Sequence, residues 1–310
     1  MARSPLVTDT PAADATPLHE PAATPAPEPA TRSPYVRAGA PALAVLGVLI
    51  WCIALMGPID LTVPLVPLED FYNHYLIEVG WGLLYTVLLA VPTLVLAFRP
   101  LSDVAAQQVL TCAAALAFAG LAAPELGHLV PAAVAVGLVA GTRVLAGGRA
   151  FPRSPQRRLG AADVPGLVVV VAGIWPAIAY ASACIADYRD PTVSADVTNE
   201  LDHWPAQAAL AIAVVLVAAL AVLARRGWLL PTLTAATSAV WLGLTSVAFP
   251  AHDGSLGTTG GWLAVVWGAA LVAAIAVPRL LTGRRSAPEP APAPAAEPTP
   301  DADTAPDPAR

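Results

Sequence analysis

The sequence predicts an all-α fold, a polytopic transmembrane helix bundle of about eight spans. Three observations predict it. Hydrophobic residues make up 56% of the chain and charged residues 12%, against about 25% charged in an ordinary globular domain. The apolar residues fall into blocks of about 17–25, the length that crosses roughly 30 Å of hydrocarbon as a helix. Arginines gather in alternate connections between those blocks, and acids in the others.

The blocks place spans at about 38–57, 75–98, 101–123, 126–146, 164–186, 204–224, 228–249 and 261–278. Each is about twice as long as a barrel strand needs, and none alternates polar with apolar residues, so helices are expected. Pro92, Pro131, Pro176 and Pro231 fall inside spans. A membrane helix accommodates proline when neighbouring groups satisfy the freed carbonyl. The membrane domain is therefore 38–279. Residues 1–37 and 280–310 are rich in Pro, Ala and acids. They cannot bury enough apolar surface to offset their ordering entropy, so both are expected as disordered tails. The first tail has no apolar segment behind a basic start, so it does not read as a signal peptide.

Orientation follows from the arginines; the chain contains no lysine. Arg32 and Arg37 precede the first span, and Arg99 follows the second. Arg149, Arg153, Arg157 and Arg158 lie between the fourth and fifth, Arg225 and Arg226 between the sixth and seventh, and Arg279, Arg284 and Arg285 after the eighth. The opposite connections carry Asp60, Glu69, Asp70, Glu125, Asp190, Glu200, Asp202 and Asp253, with only Arg189 among them. The positive-inside rule makes the arginine side, and with it both termini, cytoplasmic. An Ala-, Pro- and Arg-rich composition without lysine points to a GC-rich bacterial source and so to a bacterial plasma membrane. Trp204, Trp228 and Trp262 stand at span ends, where interfacial rings are expected.

An even span count allows a parallel repeat, with halves 38–146 and 164–279. Asn73-His74-Tyr75 with Glu78 opens the second span, and Asp202-His203-Trp204 with Gln207 opens the sixth. Residues four apart share a helix face, so His74 pairs with Glu78, and Trp81 and Tyr85 continue the stripe. His203 pairs with Gln207 in the same way. A carboxylate one turn inside hydrocarbon is costly unless it faces protein or a wet cavity, so Glu78 is expected to point into the bundle.

Four histidines, His74, His128, His203 and His252, fall on the outer side, each before or at the start of an even-numbered span. Imidazole binds metals and titrates near neutral pH. With Glu78, Glu125, Gln207 and Asp253 they could line an outer-face cavity that passes protons or a solute, or that holds haem or a divalent metal. The bland alternative is that they are wet residues at helix ends. The layout resembles that of haem A synthases, which also have eight helices in two similar halves with histidines toward the outer ends of even-numbered helices. The likeness lies in order and side. That family's motifs around the histidines, and a cysteine pair in an outer loop, are absent from this sequence. His252 is expected in a loop with Gly254, Gly257, Gly260 and Gly261, ahead of the last span.

Asp103 and Arg143 fall at the inner ends of the third and fourth spans, where they could pair. Thr232, Thr234, Thr237, Ser238 and Thr245 are expected to bond to their own helix or a neighbour. Gly137 and Gly141 permit close packing of the fourth span. Cys52, Cys112 and Cys184 match no zinc or redox spacing. No phosphate-binding loop, Gly-x-Ser-x-Gly elbow or HExxH motif occurs, and no basic–aromatic patch resembles a nucleic-acid surface. These absences argue against an enzyme. The expected partner is the lipid bilayer. A small-solute or ion permease is the leading reading, a haem- or metal-binding redox or assembly protein the second, and a non-catalytic scaffold acting through its tails the third.

Overall fold

A computed structural model describes residues 34–66, 75–154 and 159–285. Most of both tails lies outside this range, as does His74. The fold is an all-α polytopic helix bundle. Seven helices are long and apolar enough to cross a membrane: Leu76–Phe98, Asp103–Ala122, Leu126–Leu145, Ala161–Arg189, His203–Leu223, Leu229–Ala248 and Gly257–Leu281. A bent pair, Ala38–Ala54 and Gly57–Leu65, makes the eighth when counted as one.

That bend departs from the expected first span. Helix α1 (Pro34–Leu49) continues as a π-helical stretch, Ile50–Ala54, and then stops. Met56 adopts a left-handed conformation, φ 51°, and the chain turns by 54° into the short helix α2 (Gly57–Thr62). The segment read as an outer loop thus folds back onto the bundle and packs against α3 (Tyr75–Gly82). Gly82 permits the contact, since a Cβ there would stand 2.3 Å from the backbone nitrogen of Leu61. Trp241 Nε1 donates to Leu61 O at 3.2 Å from the opposite side.

The second span is α3, a π-helical stretch (Leu83–Ala90) and α4 (Val91–Phe98) in series. Pro92 has no N–H for the carbonyl of Leu88, four residues earlier. That carbonyl instead accepts from Gln108 Nε2 at 3.3 Å and from Cys112 Sγ at 3.6 Å, both on α5 (Asp103–Ala122). Gln108 Nε2 also donates to Thr234 Oγ1 at 2.9 Å, on α9 (Leu229–Ala248). One helix imperfection thereby ties three spans together. Thr232, Thr234 and Thr245 return their hydroxyls to carbonyls of their own helix, as expected.

The remaining helices are α6 (Leu129–Leu145), α7 (Val164–Arg189), α8 (His203–Leu223) and α10 (Gly257–Arg285). Helix α8 packs on α3, α5, α7 and α9, and α1 packs on α4 and α6. The spans Leu76–Phe98 and His203–Leu223 are each 67% buried, whereas Ala161–Arg189 and Gly257–Leu281 are 22% buried. The second and sixth spans therefore form the centre, and the fifth and eighth present their apolar sides outward. Asp103 Oδ1 accepts from Arg143 Nη2 at 2.7 Å, so the inner-end pair read from sequence forms. A second inner-end contact joins Arg279 to Asp163 at 3.5 Å.

Three details differ from expectation. Helix α10 begins at Gly257, so Gly257, Gly260 and Gly261 are helical rather than loop. Gly261 lies against Gly243, where a Cβ would come within 2.6 Å of the Gly243 carbonyl, and this backbone-to-backbone crossing offsets glycine's low helix propensity. Of the glycine pair expected to pack the fourth span closely, Gly141 meets Leu43, whereas a Cβ at Gly137 would meet nothing within 4 Å. Trp204 is 3% exposed, sitting in protein rather than at an interface.

A single antiparallel hairpin stands among the described residues, β1 (Val197–Thr198) and β2 (Leu201–Asp202), with Thr198 opposite Leu201. Its two-residue turn holds Asn199 and Glu200 at φ 52° and 65°, the twist that a tight hairpin requires.

Candidate functional site: a polar cluster at the expected outer end

The sequence Gly80-Trp81-Gly82 builds this site. Its two glycines admit neighbours on either side of a buried indole. At Gly82 the neighbour is α2, carrying Asp60. At Gly80 it is Gln207 of α8, whose Oε1 occupies the space a Cβ would take. Trp81 is fully buried and donates from Nε1 to Leu55 O at 2.6 Å, at the break after the first π stretch.

Three rings pack on Trp81. Tyr85 lies 4.6 Å away between centroids, as the i, i+4 stripe predicts. His203 stacks on the indole at 4.2 Å with an interplanar angle of 28°. His128 meets it edge-on at 6.3 Å.

Both histidines are held by the loop before α8. His203 Nε2 lies 2.9 Å from Thr198 Oγ1. Its Nδ1 lies 2.9 Å from Asp196 Oδ2, at ion-pair distance without hydrogen-bond alignment. His128 Nε2 is 2.8 Å from the Asp202 carbonyl. A carbonyl only accepts, so His128 carries its proton on Nε2, and its buried Nδ1 has no partner among the described residues. Asp202 caps α8, its Oδ1 accepting from the Trp204 amide at 2.8 Å. Burial pushes the Asp202 carboxyl above the usual range, with the Trp204 amide opposing the shift.

Asp60, Glu78 and Asp196 lie within electrostatic reach of one another. Asp60 and Glu78 are each 7% exposed. Asp60 Oδ2 and Glu78 Oε2 are buried without a hydrogen-bond partner among the described residues. Three acids thus lie together, and one of them, Asp196, contacts the His203 imidazole. Beside them Gln207 Nε2 and the Tyr180 hydroxyl are joined at 2.5 Å, and the same hydroxyl donates to Gly254 O.

The sequence-derived candidates divide accordingly. Glu78, His128, His203 and Gln207 all adjoin the Gly80–Trp81 pair or its acids. Glu125 stands at the start of the fourth span, accepting from the Gly127 amide at 3.1 Å and from the Tyr188 hydroxyl at 2.8 Å. His252 packs edge-on against Phe249 at 5.1 Å in the turn after α9, with Asp253 beside it. His74 lies outside the described residues. Asp60, Asp196, Thr198 and Tyr180 were not singled out from sequence. The Gly-Trp-Gly triplet inside an apolar helix was the available signal.

His128 and His203 each commit Nε2 to a protein oxygen. Among the described residues no group of three or more His, Cys, Asp or Glu is arranged to hold a metal ion. The three cysteines are free thiols. No family model matches the chain, and neither does any curated protein or solved structure.

Proposed function

We propose that this protein is a small-solute or ion permease whose outer end binds and passes protons through Glu78, Asp60, Asp196 and His203. The observation that carries this reading is the gathering of three acids, two of them with unpartnered buried oxygens and the third in contact with the His203 imidazole. In a largely apolar surrounding such a group is costly as three anions, so it favours taking up a proton. His203, in contact with Asp196 on one side and Thr198 on the other, can exchange that proton with the loop. His74 precedes Glu78 by four residues and belongs to the same reading, as do Glu125, Gln207 and Asp253 on the surrounding elements.

The arginine distribution sets this cluster toward the outside of a bacterial plasma membrane, with both termini cytoplasmic. A parallel repeat of two four-helix halves is in keeping with the packing. Helix α1 packs on α4 and α6, as α7 packs on α8 and α10. The test is proton flux into proteoliposomes that enclose a pH-sensitive dye, under an imposed pH gradient. Wild-type vesicles should equilibrate faster than empty ones, and Glu78→Gln should return them to the empty-vesicle rate. Equal rates for all three would end the proposal.

A further inference from the structure

On the flank of the bundle, between the first and fourth spans, lies an apolar groove of about 390 Å³. Trp51, Val130 and Val134 line it, together with Asn199 and Glu200 of the hairpin turn and Leu201 of β2. From Gly127 to Val134 it follows the helix for about 10 Å, at about 1.5 Å per residue. Val130 is 65% exposed, so the groove opens to the side, where hydrocarbon surrounds a spanning helix. The hairpin turn is pinned: Asn199 Nδ2 donates to Ala54 O at 2.5 Å, at the end of the π-helical stretch.

The mouth is acidic. Glu200 is exposed and makes no hydrogen bond or ion pair with any described residue. Its backbone sits at φ 65°, a conformation that favours Gly or Asn and is strained for glutamate. In the groove Trp51 is fully buried, and its Nε1 has no partner among the described residues.

We infer that this groove binds one membrane lipid with a primary ammonium head group, its chain along Val130 and Val134 and its ammonium on Glu200. An apolar channel with the exposed Glu200 carboxylate at its mouth complements an amphiphile with a cationic head group. A phosphatidylethanolamine ammonium offers three N–H donors, whereas the quaternary head of phosphatidylcholine offers none.

The test is native mass spectrometry of the full chain released from nanodiscs of equimolar phosphatidylethanolamine and phosphatidylcholine. One retained phosphatidylethanolamine per protein is expected. Its enrichment over phosphatidylcholine should be about tenfold, the equivalent of one charge-assisted hydrogen bond. Val134→Trp should fill the groove and abolish retention. Glu200→Gln, at an exposed position that does not threaten folding, should leave a lipid bound but remove the head-group preference. Equal retention of both lipids by the wild type, or an unchanged preference in Glu200→Gln, would overturn the inference.

Discussion

Trp81 and His203 lie face to face, their ring centroids 4.2 Å apart, and this stack joins the central span of one half of the chain to that of the other. The indole is fully buried and its N–H is used by Leu55, so the imidazole rests on a surface that cannot rotate away. Trp81→Ala should lower stability by about 3–5 kcal/mol, the cost of removing a large buried aromatic. Trp81→Phe keeps a stacking face and loses one buried hydrogen bond, so it should cost about 1–3 kcal/mol. Thermal unfolding in detergent distinguishes the two. Equal midpoints for Trp81→Ala and the wild type would remove Trp81 from the organising position.

The contact at Gly80 is a matter of space. Gln207 Oε1 lies 1.2 Å from where a Cβ would be. Gly80→Ala should therefore destabilise the protein by displacing Gln207 from Tyr180. Adding Gln207→Ala should recover most of the loss, giving a double-mutant coupling of about 1–2 kcal/mol. At Gly82 the obstruction is backbone, so Gly82→Ala should be more harmful, and no substitution at Gln207 should rescue it. Additive effects of the Gly80 and Gln207 changes would contradict this reading.

Arg143 and Asp103 should be separable by charge. The arginine side chain is 6% exposed and the carboxylate 42%, so the cost of breaking the pair falls on the buried cation. Arg143→Ala and Asp103→Asn should each cost about 1–2 kcal/mol, well below a fully buried pair because solvent reaches Asp103. Asp103→Ala should be the worse of the two acid replacements, since it leaves the guanidinium only the Arg149 carbonyl, to which Nε donates at 3.1 Å. Denaturant midpoints test this ordering.

Asp202 should make stability depend on pH. Burial raises its carboxyl, so the folded chain holds the proton more tightly than the unfolded chain. Its contribution is then fully present in acid, below the unfolded value, and is lost as pH rises through the folded one. Asp202→Asn keeps an oxygen to cap the Trp204 amide and removes the charge. The variant should melt above the wild type at neutral pH, and the difference should vanish in acid. A gain that persists unchanged in acid would show that charge is not its cause.

Much of the architecture was legible because hydrocarbon leaves the backbone few options. Block length alone located seven spans to within a few residues, and residue type predicted the Asp103–Arg143 pair and the threonine back-bonds. The first span was misread at its end because Met56, Gly57 and Pro58 are as apolar as what precedes them. Hydropathy does not register a 54° turn. The last span was begun too late because its glycines look like loop residues until Gly243 is known to face Gly261. In the site, Glu78, His128, His203 and Gln207 announced themselves by polarity and spacing. Asp60 reads as a loop acid and Asp196 carries no signal of its own, because what makes them part of the cluster is tertiary folding-back that no local pattern encodes.

The proposal of a proton-binding cluster is tested most directly by infrared difference spectroscopy of the purified full chain, which detects protonated carboxyl groups by their C=O stretch. At neutral pH the wild type should show a protonated-carboxyl band that shifts in D₂O and is lost in the Glu78→Gln/Asp60→Asn double variant. A wild type without such a band, or a double variant that keeps it unchanged, would contradict the proposal.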